Sequence, residues 1–151
     1  MQNVFDAQDA QEYINRINNL TPETQRKWGK MSVDQVLAHL NVAYDLTFTP
    51  EKFPKPSFIA KFLLSRFVKP KITNEIPYKQ SLPTSPVFII ADERNYEEEK
   101  AKLIGNIQRV QQLGREAFEG KENINFGKMT AQGWNNMFAK HLNHHLEQFG
   151  V

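Results

Sequence analysis

The sequence predicts an all-α protein, an up-down four-helix bundle, and three observations lead to that prediction. Four segments carry apolar residues at helical spacing, with capping residues at their starts or glycines at their ends. Seven of the eight prolines fall between Pro50 and Pro86, which predicts one long crossover in the middle of the chain. No repeat, low-complexity tract or linker divides the 151 residues, so residues 1–151 are expected to form a single domain.

The first half of the chain supplies two of the four helices. Residues 5–19 have the alternation of apolar and polar residues that is typical of an amphipathic helix. The segment NLTPETQRKW then predicts a further helical start, with Thr21 as its cap and Pro22 in the first turn. The second long helix is predicted to begin at Ser32, because Gln35 completes a capping box three residues later.

The proline-rich crossover is predicted to contain one short extra helix. The segment PSFIAKFLLSRFVKP has room for a helix of about ten residues, bounded by Pro56 and Pro70. The following segment, TNEIPYKQSLPTSPVF, is expected to be an irregular connection. Loops of that length in a compact domain are often functional, commonly as a lid or as the wall of a site.

The second half of the chain supplies the other two long helices. ADERNYEEEKAKLIGNIQRVQQLG has acids near its start and basic residues later, as the helix dipole favours, and Gly114 or Gly120 is expected to end it. Thr130 is the predicted cap of the last helix, which runs to Phe149. Gly150 is its predicted stop signal.

Composition narrows the class of protein. The net charge of +2 is too small to indicate a nucleic-acid partner, and no apolar run approaches the roughly 20 residues that span a membrane. Cysteine is absent, which removes disulfides, thiolate ligands and a cysteine nucleophile together. The acidic N-terminal segment has no apolar core typical of a secretory signal. We therefore expect a cytoplasmic protein with neither a nucleic-acid nor a membrane partner.

Three of the four histidines lie in the last helix, in KHLNHHLEQFG. At about 100° per residue, His141 and His145 fall within the apolar stripe that also holds Trp134 and Phe138, whereas His144 falls at its edge. The three histidines are therefore not equivalent. The opposite side of this helix carries Asn136, Lys140, Asn143 and Glu147.

The fourth histidine, His39, faces inward on the second long helix among Val36, Ala43 and Leu46. Inward histidines need partners, because burying an unpaired polar group costs about 1–3 kcal/mol. A divalent metal would supply one, with His141 and His145 chelating from one helix and His39 from another. Without cysteine, the donor set suits Zn²⁺ or Ni²⁺, and three protein ligands leave a position open, as in catalytic sites.

Two interpretations without a metal stay open. Inward histidines are often core residues bonded to a carbonyl or to water, and charged histidines near a helix C-terminus are stabilised by the helix dipole. Gln35 and Gln148 lie near the histidines on their helices and, with Trp134, are candidates for the pocket wall. No carboxylate lies on the histidine faces, so the sequence assigns no catalytic base.

Two segments, MSVDQVLAHLNVAYDL and FGKMTAQGWNNMFAKHLNHHLEQFG, resemble the DinB-like superfamily of four-helix proteins. They are most similar to one of its bacterial families of unknown function, in which a W…H…HHL.QFG ending recurs. In that superfamily a divalent metal is held by one histidine of the second main helix and an H-x-x-x-H pair of the last. The matching positions here are His39, His141 and His145, and His144 matches no ligand.

The resemblance also implies a chemistry. Characterised members include S-transferases and isomerases that use low-molecular-weight thiols, so it implies a metal-dependent enzyme with a thiol cofactor and a small-molecule substrate. Metal-assisted hydrolysis is the alternative enzymatic use of such a site. Homodimers are frequent among such bundles, so a second copy of the chain is a candidate partner.

A rival function rests on residues 52–71, where aromatic and basic residues alternate. Such a pattern can suit nucleic acid or an anionic membrane. A helix over this segment would have no purely apolar face, because Arg66 falls beside Phe62. We interpret this segment as a lid or a subunit contact. The alternative function is that of a non-catalytic protein, in which the histidines are structural and the basic aromatic segment binds a partner or an anionic surface. The residues concerned are Phe53, Phe58, Phe62, Phe67, Lys52, Lys55, Lys61, Arg66, Lys69 and Lys71.

Overall fold

Helices make up about 60% of the chain in the computed structural model, which describes residues 1–151. The α-helices are α1 (Ala7–Asn18), α2 (Val33–Phe48), α3 (Phe58–Leu63), α4 (Lys69–Thr73), α5 (Tyr96–Leu113) and α6 (Ala131–Phe149). A π turn over Leu64–Val68 joins α3 to α4, and 3₁₀ turns lie at Pro50–Lys52, Pro86–Phe88 and Arg115–Phe118. The strands β1 (Glu122–Asn123) and β2 (Gly127–Lys128) form a small antiparallel hairpin. None of the helices is long and apolar enough to cross a membrane.

The ends of the long helices follow the local signals in the sequence. At the start of α2, the Gln35 side chain accepts the Ser32 backbone N–H at 3.1 Å, as the capping box predicts. Thr130 caps α6 by accepting the Gly133 N–H at 3.1 Å. Of the two glycines proposed to end α5, Gly114 does so. Gly150 ends α6 at a φ of 80°, a left-handed conformation that favours glycine.

The prediction of a helix starting at Thr21 is wrong. Thr21 donates its backbone N–H to the Thr24 hydroxyl at 2.8 Å, and Thr24 returns its own N–H to the Thr21 carbonyl at 3.0 Å. These bonds close a local turn, as threonine side chains often do. The segment then reaches the end of α6, where Lys27 donates its N–H to the Gln148 carbonyl at 2.7 Å.

The short crossover helix does not end at Pro70, contrary to the sequence-based prediction. Its helical path continues through the π turn to Thr73. Pro70 lies in the first turn of α4, directly after the π turn. The preceding residue, Lys69, donates its N–H to the Leu64 carbonyl and so closes the π turn.

The four long helices surround the core, and each of them packs against two of the others. Helix α2 packs against α5 and α6, and α1 packs against the same two helices. At the centre, Phe138 stacks on Tyr44 at a centroid distance of 4.7 Å and on Trp134 at 5.7 Å. Phe118 approaches these rings edge-on. This arrangement places the histidine-bearing faces of α2 and α6 next to each other.

The far side of α6 is also covered, because α4 packs along it. The buried Lys140 ammonium donates to the Lys71 carbonyl and to the Asn74 side chain, each at 2.7 Å. The buried Asn136 amide donates to the Thr73 carbonyl, also at 2.7 Å. Polar side chains on this side of α6 therefore fasten the crossover to the long helices.

Candidate metal centre

The structure brings His39 of α2 together with His141 and His145 of α6. One ring nitrogen from each lies within 4.8 Å of those of the other two. The ring centroids are 4.5 to 5.0 Å apart. His141 and His145 are one helical turn apart and so point the same way, which is why the packing of α2 against α6 completes the group. The three residues are close enough to hold a metal ion.

A backbone carbonyl from the crossover orients His39. Its Nδ1 lies 2.8 Å from the Phe88 carbonyl oxygen. A carbonyl can only accept, so Nδ1 carries the proton in the neutral ring and Nε2 keeps its lone pair. That Nε2 lies 2.8 Å from Nε2 of His141. The donor atom of His39 is therefore aimed at its neighbour on α6.

His145 is oriented by a chain of two further groups. Its Nδ1 lies 2.8 Å from Oε1 of Gln148, whose Nε2 donates to the Trp28 carbonyl at 2.8 Å. Because the carbonyl requires the amide nitrogen, the amide oxygen is left to accept from His145. This fixes the proton on Nδ1 and leaves the lone pair on Nε2. Metal-binding histidines are commonly oriented in this way.

Burial keeps these rings neutral. Burial and, to a smaller extent, the neighbouring His39 lower the pKa of His145 to about 3, although the bond to Gln148 acts in the opposite direction. Burial likewise lowers the pKa of His39, and it lowers the pKa of His141 well below the ordinary value. Neutral imidazole is the form that binds metals, so the donor set is ready for a cation without losing a proton first.

The crossover supplies a wall of the site, as its length suggested. The Phe88 ring packs against His39 at a centroid distance of 5.3 Å and edge-on to His141 at 5.7 Å. Phe88 thus covers two histidines with its ring and orients one with its carbonyl. The sequence did not single out this residue, because a backbone carbonyl leaves no signature in the side-chain pattern.

His144 lies outside the group and separates two cavities. It is half-buried, with its ring edge-on to Trp28 at 6.0 Å and to Tyr78 at 5.8 Å. A cavity of about 130 Å³ reaches His145 from one side and is lined by Trp28, Gly29, Lys30, Met31, Ser81, Leu82, His144, His145 and Gln148. A cavity of about 280 Å³ on the other side is lined by Met1, Glu75, Pro77, Tyr78, Lys140, Asn143, His144 and Glu147.

The cavity at His145 reaches one of the three histidines. Ligand pockets for drug-sized molecules usually enclose about 300–1,000 Å³, so a cavity of about 130 Å³ suits a few waters or a small reactive group. Trp28, Met31 and Leu82 make much of its wall apolar, and Lys30 adds a positive charge. Trp28 is therefore a wall residue of this cavity.

The three predicted pocket residues have different surroundings. Gln148 lies at the site and orients His145. Gln35 serves the capping box of α2, and its amide nitrogen lies 3.4 Å from the Asp92 carbonyl. Trp134 is not a pocket residue in the structure: its indole is fully buried in the hydrophobic core and donates to the Lys121 carbonyl at 3.3 Å. The position of a residue on a helix face predicts whether its side chain points inward, but not whether that side chain lies in the core or lines a pocket.

Comparisons with known proteins give one match. No curated protein and no solved structure matches the chain. One family of proteins of unknown function, DUF1569, matches residues 2–150. The match covers both histidine-bearing helices and the crossover between them. The chain therefore belongs to the DUF1569 family.

Proposed function

We propose that the protein is a metal-dependent enzyme in which His39, His141 and His145 hold Zn²⁺ or Ni²⁺ and which acts on a small molecule. One observation carries the proposal. Two of the histidines have their Nδ1 protons held by outside acceptors, the Phe88 carbonyl and the Gln148 side chain. Structural histidines need no common direction, but these three residues of two helices each bring one ring nitrogen to within 4.8 Å of the others.

The donor set fits such an ion. Zinc–nitrogen bonds of about 2.0–2.1 Å require the donor atoms to lie within about 4 Å of one another. Those of His39 and His141 are 2.8 Å apart, and all three lie within 4.8 Å. Small side-chain rotations would bring them to that range. The group contains no carboxylate or thiolate, and an all-imidazole set suits zinc, nickel and similar ions.

The DinB-like superfamily and the up-down four-helix bundle are part of this proposal. The bundle is supported by the contacts between its helices: α1 packs against α5, α5 against α2, α2 against α6 and α6 against α1. The histidine positions that match the superfamily lie together on its two facing helices. The single domain expected over residues 1–151 would then be this bundle with its crossover.

The residues around the histidines support catalysis of a defined kind. A divalent metal held there would act as a Lewis acid and lower the pKa of a thiol or of water, which supplies a nucleophile near neutral pH. Phe88 and Gln148 orient the donor nitrogens, and Phe88 shields His39 and His141 from water. Trp28, Met31 and Leu82 would bind the apolar part of a substrate or thiol beside His145. Thiol transfer is the preferred reaction and hydrolysis the alternative.

A structural role for the histidines is the competing function. The contact of 2.8 Å between Nε2 of His39 and Nε2 of His141 is also a good hydrogen bond if His141 carries its proton there. In that case His39 and His141 are paired with each other in the core, and the protein needs no metal.

Activity assays distinguish these functions. Protein loaded with Zn²⁺ or Ni²⁺ would be mixed with low-molecular-weight thiols and a chromogenic electrophile, and separately with p-nitrophenyl esters. We expect thiol- and metal-dependent conjugation that His145→Ala abolishes and the surface variant Lys102→Ala retains. Ester hydrolysis without conjugation would favour the hydrolase. A metal-loaded protein that accelerates neither reaction over its His145→Ala variant would contradict an enzymatic role.

A further inference from the structure

The crossover helix presents an apolar face to solvent. Phe58, Phe62 and Phe67 are exposed by 87%, 61% and 60%. Ile59, Leu63 and Val68 beside them are exposed by 70%, 47% and 37%. Single exposed apolar residues are ordinary, but a contiguous apolar face on one helix indicates an interaction surface. We call these six residues the exposed rows.

The π turn aligns the exposed rows. Phe58 and Phe62 are four residues apart, one turn of α-helix, and so are Ile59 and Leu63. The π turn bonds residues five apart, as the Lys69 N–H to the Leu64 carbonyl shows. It therefore brings Phe67 over Phe62 and Val68 over Leu63. In a regular α-helix Arg66 would fall above Phe62; here its guanidinium lies 5.7 Å from the centre of the Phe67 ring.

The opposite side of this helix is fastened to the hairpin. Lys61 forms an ion pair with Glu122 at 2.9 Å. The Lys69 ammonium donates to the Lys128 carbonyl at 2.6 Å and to the Phe126 carbonyl at 3.3 Å. These anchors hold the apolar side outward. The exposed rows are thus a fixed feature of the fold, with no segment of this chain packed over them.

The charges within residues 52–71, the segment that carries the exposed rows, have one sign. Residues 52–71 contain six lysines and arginines and neither aspartate nor glutamate. Lys61 pairs with Glu122, and no ion pair involves Lys52, Lys55, Arg66 or Lys71, which are all exposed. An apolar face with unpaired bases beside it has the pattern of helices that lie in the interface of an anionic membrane.

We propose that the exposed rows dock the protein on an anionic lipid surface, with the helix lying in the headgroup region. The aromatic and aliphatic side chains would enter the acyl boundary, while the unpaired bases contact lipid phosphates. This replaces the expectation of no membrane partner, which rested on the lack of a membrane-spanning segment. Lying on a membrane needs no such segment.

A second copy of the chain is a poorer occupant. In a two-fold dimer the same patch meets itself, so four unpaired cations of one copy would face four of the other without an acid in the segment. Nucleic acid also fits less well. Isoleucine, leucine and valine provide no flat surface on which bases stack and no hydrogen-bond donor.

Vesicle flotation tests the proposal with the full-length protein. We expect binding to vesicles of equal parts phosphatidylcholine and phosphatidylglycerol, weaker binding at high salt, and little binding to phosphatidylcholine alone. Phe62→Ser/Phe67→Ser and Arg66→Glu/Lys71→Glu should each weaken binding by about tenfold or more. Leu113→Ser removes an exposed apolar residue elsewhere and should leave binding unchanged. Circular dichroism would confirm that each variant folds, and the charge-reversal variant changes only exposed side chains.

Three outcomes would overturn this inference. The parent protein fails to float with anionic vesicles, or floats equally with neutral ones. Sedimentation shows a dimer that Phe62→Ser/Phe67→Ser dissociates, without vesicle binding. The protein binds single-stranded RNA through the same residues and ignores vesicles. None of these outcomes affects the histidine site, whose metal content should be the same in all the crossover variants.

Discussion

Gln148 shows how one residue outside the histidine group decides which nitrogen of a histidine is free. Its amide bridges Nδ1 of His145 and the Trp28 carbonyl, each at 2.8 Å. The sequence placed Gln148 near the histidines but gave no partner for it, because Trp28 is 120 residues away. The donor residues could be predicted from helix faces, whereas their hydrogen-bond partners depend on how distant segments meet.

Replacing Gln148 with alanine should weaken metal binding. Without its acceptor, Nδ1 of His145 loses the bond that holds the proton there, and the ring is free to present the wrong nitrogen. Loss of such a partner typically costs about 10–100-fold in metal affinity. Competitive zinc titration would measure it, with Gln112→Ala on the exposed side of α5 as the control. Equal affinity in Gln148→Ala and the parent would contradict the orienting role.

Gly29 should tolerate no side chain, because the Gln148 amide lies against it. Its φ is 82°, and a Cβ there would lie 2.3 Å from Nε2 of Gln148. We expect Gly29→Ala to destabilise the protein by about 1–3 kcal/mol and to weaken metal binding through Gln148. The matched control is Gly105→Ala, where a Cβ meets nothing within 4 Å and helix propensity favours alanine. Urea unfolding would show opposite signs for the two variants.

The metal-free protein should lose stability as the pH falls below about 6.5. His145 stays neutral in the folded state until its pKa of about 3, whereas the unfolded chain binds a proton near 6.5. The contribution is thus fully present above about pH 6.5 and is lost as the pH falls toward 3. From pH 7.5 to 5, this group alone should cost the parent about 2 kcal/mol. Urea unfolding at pH 7.5 and at pH 5 should show a smaller loss of unfolding free energy in His145→Gln than in the parent. An equal loss in the two proteins would contradict a buried, neutral His145 ring.

At the scale of elements, local signals predicted the long helices and failed where distant contacts decide. The capping box at Ser32 and the Thr130 cap involve residues a few positions apart, so both could be predicted from the sequence. The segment after Thr21 carries similar signals, but its backbone turns and meets α6 instead. The path of the crossover beyond Pro70 likewise depends on α6, which a local pattern does not contain.

Lys140 should be important for holding α4 against α6. Its ammonium donates to the Lys71 carbonyl and the Asn74 side chain and lies 4.6 Å from the centre of the Tyr78 ring. Lys140→Met keeps the apolar stem but removes the donor to the Lys71 carbonyl and the Asn74 side chain, so we expect a loss of about 1–3 kcal/mol in unfolding free energy. Lys102→Met, which breaks an exposed ion pair with Asp45, should cost less than about 1 kcal/mol. Similar losses in the two variants would contradict the anchoring role.

At the scale of the whole molecule, two parts of the crossover have different surroundings. Its C-terminal part shields the histidines through Phe88, and its helical part exposes the apolar rows. The sequence indicated both features, a wall for the site and a basic aromatic segment. It did not show which side of the segment faces outward, because neither the π turn nor the contacts with the hairpin could be predicted from the local pattern.

Metal content measured together with the coordination of the metal tests the central claim most directly. Tag-free protein would be loaded with Zn²⁺, dialysed, and analysed for zinc and by X-ray absorption, beside His39→Ala/His145→Ala and the control His144→Ala. We predict one zinc per chain in the parent and in His144→Ala, with three imidazole nitrogens at about 2.0–2.1 Å, and none in the folded double variant. A folded parent that retains no zinc or nickel, or holds it equally well without these histidines, would contradict the account.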